Sequence, residues 1–245
     1  MDGQALVGIG LIAVPVFLSL TLHEYGHART AQAFGDHTAR LMGRCTLNPL
    51  AHLDILGTLC FLFGPFGWAK PVPVNPANMH PRRKGEIAVS LAGVGMNLLL
   101  VVLATVGLHA MAAGGVTIDT APDAAPTPAG VAAFMMSYAI VVNIVLTIFN
   151  LIPLYPLDGH HVVRELLPAH SRAPFMDFQR RYGRYALLGL LVAPWLIRQM
   201  GRDAPDPIGA LLGAVIWPVL QWLLPGDAIV LTGSAWQRYG PYLPW

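Results

Sequence analysis

Three stretches of this sequence, about residues 5–34, 87–113 and 131–152, are apolar for long enough to cross a hydrocarbon layer of roughly 30 Å, which takes about 20 residues of helix. Backbone at that depth has no water to bond to, so each stretch must satisfy its own N–H and C=O groups as a helix. Composition agrees, since 55% of the 245 residues are hydrophobic and 11% are charged, against about 25% charged in an ordinary soluble domain. Two shorter apolar runs, about 185–197 and 208–224, add about two C-terminal helices. The expected fold is an all-α polytopic membrane protein, a single membrane-embedded domain over residues 1–245 with a three-helix core. The first stretch follows Met1-Asp2-Gly3-Gln4, which has no basic flank, so it reads as a retained helix and not as a cleaved signal.

Between the first two spans the pattern changes. Gly35-Asp36 stops the first helix, in which Pro15 marks a kink. Residues 48–76 are broken by glycine and proline, and their apolar centre, 55–63, is too short to span. A re-entrant, β-like loop fits this stretch, provided that protein covers its backbone. Basic residues cluster at Arg40, Arg44, Arg82-Arg83-Lys84, Arg164, Arg172, Arg180, Arg181 and Arg184. Residues 114–130 hold Asp119, Pro122, Asp123 and Pro126 and no lysine or arginine. The positive-inside rule then puts 40–84 and 153–184 in the cytoplasm and the amino terminus and 114–130 outside. The ends of the first and third helices meet on the cytoplasmic side. The net charge of +2 is small and says nothing about nucleic acid; with no basic arm or aromatic RNA-binding pattern, no nucleic-acid partner is expected. Cys45 and Cys60 have no metal or disulfide spacing.

The chemistry begins with His23-Glu24-Tyr25-Gly26-His27, inside the first apolar run. Histidines at i and i+4 project from one helix face and can reach one zinc ion, with Glu24 beside them to take a proton from water. Catalytic zinc needs three protein ligands and an open position. Asp158, at the end of Asn150-Leu151-Ile152-Pro153-Leu154-Tyr155-Pro156-Leu157-Asp158-Gly159, is an acidic group at the membrane boundary, costly there unless ligated or paired. Its other reading is a helix N-cap for the segment starting near His160. His52, in a His-x-Asp pair with Asp54, and His161 are competing ligands.

Taken together, His23-Glu24-Tyr25-Gly26-His27 and the stretch from Asn150 to Gly159 resemble the site-2 protease family of intramembrane zinc metalloproteases, over about residues 5–165. The resemblance implies Zn2+ held by His23, His27 and Asp158, with Glu24 as general base. Leu47-Asn48-Pro49-Leu50-Ala51-His52-Leu53-Asp54 and Gly67-Trp68-Ala69-Lys70-Pro71-Val72-Pro73-Val74-Asn75-Pro76 are similar to the loop of compact bacterial members, which lack PDZ and CBS domains. In the family that loop pairs with an extended substrate. Asn97 and Asn150 match positions near the zinc and on substrate backbone, so both are candidate substrate contacts; interhelical hydrogen bonding is the other role open to them. Asn143 reads as structural. His160 stands where a second glycine is usual, and Val94 where proline is frequent. The implied activity is hydrolysis of a peptide bond in the transmembrane segment of a single-span protein, within the lipid bilayer of a bacterial cytoplasmic membrane and toward its cytoplasmic side. Competing readings are a non-catalytic metal-binding scaffold, which would not need Glu24, and a metal transporter, which would place acidic groups in several spans. A prenyl-protein protease would use a glutamate as third ligand.

Overall fold

The computed structural model describes residues 3–63, 67–120, 126–200 and 205–239. Pro122, Asp123, residues 64–66 of the loop and the two ends of the 1–245 domain lie outside them. The chain forms α1 (Gly3–Ala33), a turn of helix α2 (Thr38–Leu41), α3 (Ile55–Phe63), α4 (Arg82–Ala113), α5 (Pro128–Leu151), α6 (Asp158–Leu166), α7 (Ala169–Phe178), α8 (Arg184–Gln199), α9 (Pro207–Leu223) and α10 (Asp227–Tyr239). Among the described residues there is no sheet, only an isolated antiparallel bridge between Leu53 and Ala69.

Helices α1, α4 and α5 are each long and apolar enough to cross a membrane. They pack on one another through Leu11 and Ile12 of α1, Val101 and Leu108 of α4, and Phe134 and Ile140 of α5. Asn143 of α5 donates to the Ser19 hydroxyl of α1 at 2.7 Å, an interhelical bond between buried side chains. On the outer side of α4, Leu98, Leu99, Val102, Leu103 and Val106 are 47 to 61% exposed. With three helices long enough to cross, this apolar face suits a lipid surrounding, and the protein is an integral membrane protein. The start of α4 at Arg82 takes in the basic cluster and Glu86, five residues before the apolar boundary.

The two C-terminal apolar runs form α8 and α9. Beyond them α10, which the apolar pattern does not mark, packs into the core with Leu231, Ala235 and Tyr239. The Tyr239 hydroxyl accepts from the N–H of Thr127 at 3.2 Å, and the side chain of the same threonine caps α5 by accepting from Gly130 N–H. Gly130 lets this happen: a Cβ there would stand 2.5 Å from the Tyr239 oxygen.

The loop after α1 is held by Asp36, which is fully buried. Its carboxylate accepts from Thr38 N–H (3.1 Å) and hydroxyl (2.5 Å), Asn75 N–H (2.6 Å) and the Asn78 amide (3.1 Å). Burial pushes the Asp36 carboxyl up, but these bonds together hold it below the usual range. Within the loop, the apolar centre forms α3, whose first turn is bonded by the Asp54 side chain to Gly57 N–H at 2.8 Å. Lys70 N–H donates to His52 O at 2.8 Å and Arg44 to Lys70 O at 2.6 Å, so residues 69–72 run extended beside the helices.

Since the folded pKa of Asp36 is below the unfolded value of about 3.9, its contribution is fully present above that value and is lost as pH falls through the folded one. Hydrogen exchange at Asn75, taken relative to the intrinsic amide rate at each pH, is expected to stay slow at neutral pH and to accelerate as pH falls below about 4 and through the folded pKa. In Asp36→Ala it is expected to be fast already at neutral pH; exchange mass spectrometry of the 72–80 peptide checks both.

Candidate metal centre

The buried face of α1 places Ser19, His23 and His27 one turn apart, and both histidines are buried. Opposite them, α4 offers Ala92 and Gly93 in place of larger side chains. A Cβ on Gly93 would stand 2.5 Å from His23 Cε1 and 2.6 Å from His27 Nε2, and one on Gly26 would meet Met96 Cγ at 2.7 Å. The small residues are therefore what lets the two helices close with imidazole rings between them.

Asp158 is delivered from the other side. Helix α5 ends at Leu151, and residues 152–157 turn the chain so that Asp158 is the first residue of α6, with Leu157 at its N-cap. Gly159 packs against the terminal carbonyls of α5; a Cβ would lie 2.6 Å from Ile152 O. Gln179, also buried, braces the turn by donating to Pro153 O at 2.7 Å and accepting from Tyr155 N–H at 2.9 Å. At its far end α6 is tied to α4 by Arg164, which pairs with the buried Glu86 and, at 2.7 Å, with Glu165.

Three donor atoms converge as a result. His23 Nε2 and His27 Nε2 are 3.0 Å apart, and they lie 3.3 and 3.4 Å from Asp158 Oδ2. Ligands about 2.0–2.1 Å from a tetrahedral zinc ion stand about 3.3 Å from one another, so the spacing fits such an ion. The contacts are too long for charge-assisted hydrogen bonds, which run to about 2.9 Å, and buried Asp158 Oδ2 has no hydrogen-bond donor of its own. Burial pushes the Asp158 carboxyl up and the two imidazoles outweigh it, so the group stays ionised and able to bind a cation. No other such group of three histidine, cysteine or acidic ligands occurs among the described residues.

The remaining candidates are distributed as follows. Glu24 is half-buried and accepts from Val72 N–H at 2.8 Å. Asn97 is fully buried with its amide 3.1 Å from His23 Nδ1. Asn150 donates to Leu146 O in its own helix at 3.0 Å and makes no described hydrogen bond to the cluster. His52 turns away, its Nε2 bonded to Thr46 O at 2.9 Å. His160 is buried against Tyr155, and burial with the neighbouring His160 pushes His161 down to about 4, so His161 is neutral at pH 7. Neither joins the three-ligand group. Sequence reasoning missed Val72, which lies between Pro71 and Pro73 and so carries the lone backbone N–H of that tripeptide. It also missed Gln179, for which the sequence holds no signal.

The model of peptidase family M50 matches residues 109–194, a range that takes in Asp158. The "Putative zinc metalloprotease YwhC" of Bacillus subtilis (strain 168) is 38% identical over 223 residues, covering 85% of this chain and 94% of that protein. The chain belongs to peptidase family M50, the site-2 protease family. Members named "Putative zinc metalloprotease Rip2" are 32% identical over 207 residues in Mycolicibacterium smegmatis and 34% over 202 residues in Mycobacterium tuberculosis (strain H37Rv); each match covers 78% of this chain and 71% of the relative. No solved structure matches the chain.

Because the Gly93 gap accommodates both rings, Gly93→Ala is expected to displace them. Purified variant protein should retain less than about a tenth of the wild-type metal affinity, the scale on which displaced ligand shells lose binding. Metal analysis by mass spectrometry after dialysis checks this.

Proposed function

We propose that this M50 member is an intramembrane zinc metalloendopeptidase, cutting a peptide bond in the transmembrane segment of a single-span membrane protein. The observation that carries the reading is the convergence of His23, His27 and Asp158 beside Glu24, on a helix long enough to span. The names of the relatives support zinc as the ion. His27 lies six residues before the end of α1 at Ala33, about 9 Å along the axis, which favours a site below the membrane surface. The arginine-rich ends of the helices favour its opening toward the cytoplasm of a bacterial cell.

A zinc ion in this site supplies Lewis-acid polarisation of the scissile carbonyl and makes water a stronger acid. Glu24 takes one proton from the attacking water as its oxygen bonds to the carbonyl carbon, then delivers that proton to the amide nitrogen as the C–N bond breaks. His23, His27 and Asp158 hold the ion. A helical substrate hides its carbonyls and must unwind to be cut. The non-helical part of the loop, residues 67–75, then offers backbone to pair with the opened segment, and Asn150, at the end of α5, offers an amide.

Cleavage of a single-span substrate by protein in lipid nanodiscs tests this. Glu24→Gln is expected to keep its zinc and to lose activity by about 10²- to 10⁴-fold, the usual weight of a general base. Cleavage equal to wild type would rule out the role of Glu24. Asp158→Ala is expected to lower zinc content; undiminished zinc would remove Asp158 from the ligand set.

A further inference from the structure

Helix α4 meets the two imidazoles with three successive turns of one face, at Val89, Gly93 and Asn97, and each turn contributes something different. Val89 O lies 2.7 Å from His27 Nδ1. Gly93 leaves room for both rings. Asn97 has its amide 3.1 Å from His23 Nδ1, and its Oδ1, as placed, is buried without a partner.

These contacts decide where the imidazole protons sit. A backbone carbonyl only accepts, so His27 carries its proton on Nδ1 and leaves the Nε2 lone pair facing Asp158. An asparagine amide can present either end, since a half-turn about its last bond exchanges the NH2 and the oxygen. With the NH2 toward His23, Nδ1 would accept, the proton would move to Nε2, and the atom 3.3 Å from Asp158 Oδ2 would have no lone pair for an ion. With the oxygen toward His23, Nδ1–H donates and both Nε2 atoms face the carboxylate as ligands.

We propose that Asn97 is a positioning residue: acting as a hydrogen-bond acceptor, it fixes His23 as the Nδ1–H tautomer, as the Val89 carbonyl does for His27, so that α4 selects the metal-facing nitrogen of both histidines. This rests on the zinc reading above. It gives Asn97 a task at the metal in place of substrate contact, in keeping with its full burial. Partners of this kind are worth about 10- to 100-fold in metal affinity.

The test uses full-length, metal-free protein in nanodiscs, titrated with Zn2+ against a chromophoric chelator and with Co2+ followed by its visible absorption. Asn97→Asp keeps an acceptor and loses the NH2; Asn97→Leu keeps the volume and loses both. Asn97→Asp is expected to stay within about threefold of wild type with the same Co2+ spectrum, and Asn97→Leu to bind about 10- to 100-fold more weakly with an altered spectrum. Zinc affinity in Asn97→Leu equal to wild type overturns the inference. So does a tenfold or greater loss in Asn97→Asp, because a donor role predicts that result; if the leucine variant does not fold, Asn97→Asp alone still separates an acceptor from a donor. A wild-type protein that binds no zinc overturns the metal reading itself, and the inference with it, whereas wild-type binding with an intolerant Asn97→Asp overturns the inference alone.

Discussion

The backbone of α4 comes so close to α1 that there is no space for a side chain at Gly93. This contact is possible because α1 offers Gly26 and α4 offers Ala92 and Gly93 at the same level, and helices in lipid associate through such close packing, without a hydrophobic drive. The arrangement of the two histidines follows from it. The two rings are pressed between helices, His27 reaches a carbonyl of the opposing helix, and Asn97 reaches His23 from the next turn.

The third candidate ligand depends on a different kind of force. Asp158 stands at the junction of α5 and α6, and α6 is short and polar, so apolar burial alone cannot hold it. It is held at three points: Gly159 against the end of α5, Gln179 on the turn before it, and Arg164 on Glu86. The last is a buried charge pair, of the type whose halves are costly to leave single, by about 3–5 kcal/mol. Arg82 adds a second contact to Glu86 at 2.7 Å, so the acid is flanked by two guanidiniums. The polar ends of α4 and α6 therefore set the orientation of a carboxylate two turns away.

Much of this was legible in the sequence. The three spans stand out because long apolar runs have one structural solution in lipid, and His23, Glu24 and His27 because i, i+4 spacing is a local property of a helix. Asp158 was legible from chemistry, as an acid with no reason to sit at a membrane boundary unless ligated or paired. Helix α10 was not, since Asp227, Thr232, Gln237 and Arg238 dilute its apolar positions below any span signal while tertiary packing buries Leu231, Ala235 and Tyr239. Asp36 read as a stop signal, and two of its four hydrogen bonds come from Asn75 and Asn78, 39 and 42 positions away, which no local pattern encodes. The helix over Ile55–Phe63 was equally hidden, because a short, mostly apolar run reads alike as helix or strand.

The hydrogen bond from Val72 to Glu24 makes the two oxygens of that carboxylate unequal. Oε2 is engaged as an anchor by the loop N–H, and Oε1 is left for another donor. The pin also stops the carboxylate from spinning about its final bond, which would otherwise interchange the two. A loop residue with no ionisable group thus orients the Glu24 carboxylate, through a backbone N–H that its proline neighbours do not possess.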